Sequence, residues 1–440
     1  MLFTRKELAK IIVPLMIEQL LAISIGIIDS MMVSSAGEAV VSGVSLVDTL
    51  NLFWVYLFSA LAGGGAVVIS QFIGKKDYEK AAASAKQLIW VVFLAAATLS
   101  VIVVTFKTSL LKLIFGKISD EVMANARIYL MITALSYPFL GIYNSGAAIF
   151  RAMGNSKISM VASIIMNIFN VFGNALLIFV FQMGAAGAAI ATLFARFTGA
   201  VMMLILVHNK KNIIYVEKLH IFKPDKILIK KICGIGIPNG LENSMFQFGK
   251  VMTQSLISTF GTVQIAANAV GNALATLQYV PGNAIGLTMI TVIGRCVGAG
   301  EKEQAKKYAI RLLGIAYTAI TIISLFMWIF AEPIVSLYGL SYKSSELACE
   351  LIILHCLAVS TVWPSGFTLP NSFRAASDVK FTMVVSVCSM WVFRVGLSYV
   401  FALYFNMGVK GVWYAMFCDW TCRAMIFMTR YIKGVWLKYT

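Results

Sequence analysis

Apolar residues run along this chain in long blocks broken by short polar segments. The blocks cover residues 9–34, 44–71, 82–106, 122–148, 157–181, 185–208, 230–259, 264–294, 305–330, 347–372, 379–405 and 411–436. A bilayer core about 30 Å thick takes roughly 20 apolar residues of helix, so each block is long enough to cross. Barrel strands would alternate every second residue, and these runs do not. The pattern predicts an all-α polytopic membrane protein of about twelve transmembrane helices. One long polar stretch, NKKNIIYVEKLHIFKPDKILI at 209–229, interrupts it near the midpoint. It reads as a cytoplasmic linker between an N-lobe (1–208, helices 1–6) and a C-lobe (230–440, helices 7–12).

The second half repeats the first. At a spacing of 224 residues Pro14 falls on Pro238, Glu18 on Glu242, Gly37 on Gly261 and Gly74 on Gly298. Gly184 and Gly187 fall on Gly408 and Gly411; with one residue fewer, Phe150-Arg151-Ala152 falls on Phe373-Arg374-Ala375. Six spans per copy is an even number, so both copies insert with the same orientation. Two such lobes are expected to be related by a pseudo-two-fold axis along the membrane normal, which suits alternating access. Gly74 and Gly298 are expected to end helices as left-handed caps. Pro14 and Pro238 are expected to kink or start the first helix of each lobe.

Composition agrees with a lipid environment. The chain is 60% hydrophobic and 12% charged, against about 25% charged for soluble domains. Its net charge of +17 would suggest nucleic acid in a soluble protein. Here Lys and Arg gather in alternate connections, outnumbering those of the other set by about five to one, which places both termini in the cytoplasm. The basic N-terminal residues Arg5, Lys6 and Lys10 run into a full-length apolar helix with no small-residue cleavage site, so that helix is expected to be retained as an anchor. The seven cysteines all lie in the second half. Their odd number and apolar setting point to packing and not to a disulfide or metal site.

The motifs IIDSMMVSSAG (27–37), VISQFIGKKDYEKA (68–81), YPFLGIYNSGAAIFRAMGNSK (137–157), MGAAGAAIAT (183–192), GIPNGLE (236–242) and VPGNAIGLTMITVIGRCVGAG (280–300) span most of the chain. Together they resemble the multidrug and toxic compound extrusion (MATE) family of prokaryotic type. The resemblance implies a secondary antiporter of the plasma membrane that exports amphiphilic organic cations in exchange for H+ or Na+. No HExxH cluster or paired Ser–Lys constellation with catalytic spacing stands out, so no enzyme is expected; a monomer in the lipid bilayer is expected, with no cofactor beyond its coupling ion and no nucleic acid.

An ionisable side chain within a span costs about 2.5–3.5 kcal/mol on insertion scales, so each is a functional candidate. Asp29, in the second half of helix 1, matches the family's acidic ion-coupling residue. A carboxyl group there can carry a proton, or ligate sodium where other oxygens surround it. The family's Asn and Asp four residues apart on helix 5, with a Thr on helix 6, match Asn170, Asn174 and Thr192. Spacing of four puts Asn170 and Asn174 on one face. Asn174 departs from the family's Asp, which removes one negative charge and leaves proton and sodium coupling both open. Glu242 matches an acidic position of the C-lobe; the acidic residue some members carry on helix 10 is replaced by about Trp363. A salt bridge from Glu242 to Lys250 and another from Arg394 to Asp419 are expected from helical spacing and neighbouring spans. His355 reads either as a proton relay or as a packed polar group. Met32, Phe53, Tyr137, Tyr143, Tyr279, Met289 and Trp363 are candidates for the substrate cavity, because thioethers and aromatic faces accept varied apolar cations.

No GxxxxGK[ST] phosphate loop is present, so the chain carries no nucleotide motor of that kind. A lipid-linked oligosaccharide or lipid flippase of the same superfamily is the alternative. Buried basic residues are expected to be few, which favours the exporter.

Overall fold

The computed structural model describes residues 2–116, 118–217, 219 and 223–439. The linker expected at 209–229 includes positions 218 and 220–222, which lie outside the described residues. The described residues form α-helices and no strand. In chain order these are α1 (Arg5–Ser34), α2 (Glu38–Gly74), α3 (Tyr78–Phe115), α4 (Asp120–Leu135), α5 (Tyr137–Ala152), α6 (Ser156–Asn174), α7 (Gly184–Val207), α8 (Lys226–Ser258), α9 (Thr262–Gly298), α10 (Lys302–Ile329), α11 (Ala331–Ser336), α12 (Tyr342–Thr361), α13 (Pro370–Ala375), α14 (Val379–Ser389), α15 (Leu397–Tyr399) and α16 (Gly408–Lys433). π-Helical turns at Ala175–Val180, Pro364–Thr368, Met390–Gly396 and Val400–Tyr404 extend or join them into longer rods.

Nine of the described rods are long and apolar enough to cross a membrane. Three more complete the twelve, and each falls short for a visible reason. Pro138, at the start of α5, divides α4 from α5 at Ser136; proline lacks the N–H that would continue the helix. The rods α8 and α16 carry charges within their length, Glu242 and Lys250 in one and Asp419 and Arg423 in the other. Pro14 and Pro238 lie inside α1 and α8.

The repeat is written into the backbone. α2 and α9 are both 37 residues long, and each is preceded by a glycine with positive φ, Gly37 at 109° and Gly261 at 90°. Gln182 and Asn406, the same distance apart as those glycines, both sit at φ 52°. The left-handed residue after α2 is Lys76 and after α9 is Gly300. Gly74 and Gly298 are instead the last helical residues. The expected cap is displaced by two positions because the chain makes one further right-handed residue before it reverses.

The chain folds as two compact units. One comprises residues 9–240, the other 1–8 with 241–440. The division falls inside α8 and not in the polar stretch. In the first unit, α2 and the leading half of α8 approach so closely that a Cβ on Gly64 would stand 2.6 Å from Gly236 N. Small residues allow such backbone approach where lipid offers no hydrophobic drive to helix packing. Gly146 of α5 meets Met203 of α7 in the same way. In the second unit, the N-terminal segment is held by Tyr308, whose hydroxyl accepts from Phe3 N and donates to Phe3 O, both at 2.8 Å. The interior of that unit is aromatic: Trp363, Trp413 and Trp420 pack with Leu256, Val270 and Leu351.

Candidate functional site

Four of the expected ion-coupling residues converge in the first unit. Asp29 lies in the last third of α1, Asn170 and Asn174 in the last two turns of α6, and Thr192 in the middle of α7. Asn174 Nδ2 donates to Asp29 Oδ1 at 2.8 Å. The Asn170 amide lies against the same carboxylate, and with its nitrogen turned inward it donates to Oδ1 at 2.7 Å and Oδ2 at 3.0 Å. With its oxygen turned inward, its nitrogen reaches Thr192 Oγ1 at 3.3 Å. Asn170 and Asn174 are buried within the unit, and Asn174 Oδ1 has no hydrogen-bond partner there. The sequence places these residues on three separate helices; the spacing of four on α6 brings the two amides to one face.

A second acidic centre adjoins the first. Asp48 of α2 accepts from Tyr129 Oη at 3.0 Å and Asn51 Nδ2 at 3.3 Å. Tyr137 Oη in turn donates to Asn51 Oδ1 at 2.8 Å, and Arg196 Nη1 donates to Ser136 Oγ at 2.7 Å. Asp48 and Asp29 stand near enough for their charges to act on each other. The sequence marks Asp48 and Arg196 only as charges within spans. The signal for the network is the i, i+3 placement of Asp48 and Asn51 on an apolar helix.

Glu242 belongs to the other unit. It pairs with Arg374 of α13, Nη2 to Oε1 at 2.6 Å, and not with Lys250. Its repeat partner Glu18 pairs with Arg151 of α5 at 3.3 Å and accepts from Ser159 Oγ at 2.8 Å. Arg394 likewise does not meet Asp419. The partner of Asp419 is Arg423, one turn along the same helix at 2.8 Å, with Ser389 Oγ donating to the same oxygen. In both cases another arginine takes the carboxylate, Arg374 for Glu242 and Arg423 for Asp419, and the expected cation is left without it.

His355 is buried. Its Nδ1 meets Gln278 Oε1 at 2.5 Å and its Nε2 meets Tyr279 Oη at 2.8 Å. The remaining candidates separate by environment. Tyr137, Tyr143, Met289 and Trp363 are buried inside their units, whereas Met32, Phe53 and Tyr279 are half-buried. Tyr279 stacks on Trp363 at 4.9 Å, and Trp363 on Phe367 at 5.2 Å. All seven cysteines are free, and no cluster of metal-ligating side chains occurs among the described residues.

The family model MatE matches residues 14–176 and again 238–400. The chain belongs to this family. Both matches begin at the proline inside the first helix of a repeat, so the MatE unit is the repeat read from the sequence. The Bacillus subtilis transporter YisQ is 25% identical over 431 residues, covering 97% of this chain and 93% of its own. NorM of Thermotoga maritima, which bears the name of a multidrug resistance protein, is 25% identical over 447 residues, covering 99% and 93%. Among solved structures, a MATE protein in the straight conformation superposes with a TM-score of 0.92 at 20% identity, covering 99% of this chain and 97% of its own. An outward-facing MATE transporter of the MOP superfamily gives 0.89 at the same identity, with coverage of 99% and 97%. The MatE chain is therefore a multi-pass membrane protein of a transporter family, with the MATE fold.

Proposed function

We propose that this chain is a secondary antiporter that exports organic molecules, amphiphilic cations among them, in exchange for H+ or Na+. The observation that carries the reading is the convergence of Asp29, Asn170, Asn174 and Thr192. A primary amide has a donor end and an acceptor end, and its neighbours decide which faces them. Ionised Asp29 draws the nitrogen of Asn170. A proton or sodium ion on Asp29 reverses the demand, because the carboxyl then donates, or the cation needs oxygens. The Asn170 oxygen meets that demand, and its nitrogen turns to Thr192. The Asn170 amide can thus meet Asp29 with the end that each state requires.

Alternating access then follows from exchange at one carboxylate: the ion and the exported molecule each favour a different arrangement of the spans around it. The acidic pair Asp29 and Asp48 suits a positively charged load. Relatives named for multidrug resistance support export as the direction. The alternating placement of Lys and Arg supports a plasma-membrane protein with both termini cytoplasmic.

The test is dye movement in vesicles reconstituted with the protein, a proton or a sodium gradient being imposed separately on a fluorescent organic cation. Movement driven by one gradient and lost in Asp29→Asn identifies an antiporter and its ion. Gradient-driven movement undiminished in Asp29→Asn overturns the assignment of the site.

A further inference from the structure

Cations within the spans of the second unit gather at one place. Lys250 Nζ of α8, Arg394 Cζ of the π-turn Met390–Gly396 and Arg423 Cζ of α16 lie 5.2, 5.4 and 5.5 Å from the centroid of the Phe246 ring. No two of them can stand farther apart than the sum of their distances to that ring. Arg423 is also 4.9 Å from the Phe367 ring. It is neutralised by Asp419 and donates to Ser386 O at 2.9 Å. Among the described residues, the side chains of Lys250 and Arg394 have no hydrogen bond and no ion pair. Lys250 is exposed and Arg394 half-buried, while Arg423 and Asp419 are buried behind them.

Two like charges sharing one aromatic face inside a membrane span repel. Such residues are kept where they meet an opposite charge or a wet cavity. Snorkelling does not relieve Arg394. It lies ten residues before Tyr404 at the end of its rod, about 15 Å at helical rise. A further donor waits nearby: the indole Nε1 of Trp420 is buried without an acceptor, in the helix that carries Arg423, and its ring packs on Phe367 at 6.0 Å. Asp419 Oδ2 also lacks a partner, but its carboxylate is already committed through Oδ1 to Arg423 and Ser389.

The repeat sharpens the contrast. At the 224-residue spacing of the leading helices Asp29 falls on Thr253; between Gly154 and Gln182 the spacing passes from 223 to 224, so Asn170 falls at the Phe393-Arg394 step. Where the first unit has an acid and an amide, the second has a hydroxyl and a cation.

We propose that Lys250 and Arg394 form, on the aromatic floor of Phe246 and Phe367, a binding site for the anionic group of an amphiphilic molecule. A carboxylate or phosphate supplies the charge, and an apolar or aromatic body lies along the rings. The geometry serves an organic anion drawn from solution or the headgroup of an anionic lipid. The inference does not rest on the antiport reading, because its test measures binding with no gradient present.

The experiment uses the full chain in nanodiscs of phosphatidylcholine. Binding of 2-naphthyl phosphate, 2-naphthylmethanol and 2-naphthylmethylamine is followed by tryptophan fluorescence and calorimetry. The phosphate is expected to bind at least tenfold more tightly than the alcohol or the amine. Lys250→Gln and Arg394→Gln are each expected to lose that preference, and Lys250→Arg to keep it. Nanodiscs containing phosphatidylglycerol separate the two sources. Weakened naphthyl phosphate binding, with one phosphatidylglycerol retained in native mass spectra of the parent but not of Lys250→Gln, identifies a lipid headgroup site. Unchanged binding identifies a site for soluble organic anions. Equal affinity for the three probes, a preference that survives in both Gln variants, or no binding of any probe with no retained lipid overturns the proposal. Lys250 is exposed, so its variant folds even where Arg394→Gln does not.

Discussion

Arg374 Nη2 stands 2.6 Å from Glu242 Oε1, and at the corresponding place in the first repeat Arg151 Nη1 stands 3.3 Å from Glu18 Oε1. Each pair ties the first helix of a repeat to the arginine that ends a later rod of the same unit. Removing one partner from a buried pair leaves an uncompensated charge and costs about 3–5 kcal/mol, whereas replacing both with apolar groups is often neutral. Glu242→Gln is therefore expected to lower the unfolding temperature markedly in detergent. Glu242→Leu with Arg374→Met should recover most of that loss. A double variant no more stable than the single one would show that the pair is not the source of the effect. The Glu18 pair is longer and shares its carboxylate with Ser159, so Glu18→Gln should cost less.

Asn174 is the position at which the first-unit site has an amide in place of a carboxylate. Hard cations favour carboxylate oxygens. Asn174→Asp should raise the apparent affinity for sodium, about tenfold by comparison with other substitutions around metal ligands. Transport by the variant in sodium titrations checks this, and an unchanged sodium response at constant pH counts against a sodium-competent site.

Thr192 gives Asn170 somewhere to point when its oxygen faces Asp29. Thr192→Val removes that partner but keeps the shape. Ion-driven transport should need a higher ion concentration for half-maximal rate, while the maximal rate changes little. A lowered maximal rate with an unaltered ion requirement would move the role of Thr192 elsewhere.

His355 makes a hydrogen bond through each ring nitrogen, to Gln278 and to Tyr279. Its loss leaves a buried amide oxygen and a hydroxyl unsatisfied, at about 1–3 kcal/mol for each group. His355→Ala should reduce thermal stability and leave the pH profile of transport where it was. A displaced profile would restore the relay reading.

Gly64 and Gly236 bring two helices within backbone range. Adding a methylene to a closely packed interface costs about 1–3 kcal/mol. Gly64→Ala should destabilise by at least that much, since the first atoms in the way are backbone. Circular dichroism on heating reads the change.

The architecture was legible because membrane helices announce themselves by length and apolarity, and because Pro14, Gly37, Gly184 and their repeat partners share one spacing. The trio of Asn170, Asn174 and Thr192 was legible through resemblance, and helical spacing alone would have aligned only the two amides. What sequence did not yield were partnerships. Lys250 lies two turns from Glu242 and looks like its partner, yet Arg374, 132 residues away, is the one that reaches it. The gathering of Lys250, Arg394 and Arg423 on Phe246 depends on the rotation of three rods about their axes. The π-turns at Met390–Gly396 and Val400–Tyr404 change that rotation without leaving a periodic signal.

The first eight residues count with the second unit, and the residues that repeat them, 225–232, count with the first. The leading segments of the two halves are thus exchanged, as in a domain-swapped dimer whose protomers have been joined into one polypeptide. Insertion of the first six spans during synthesis yields a body still lacking the segment that seats beneath Gly64, and this arrives only after the polar stretch has left the ribosome. Separately expressed halves, cut in that stretch, should be recovered together or degraded alone.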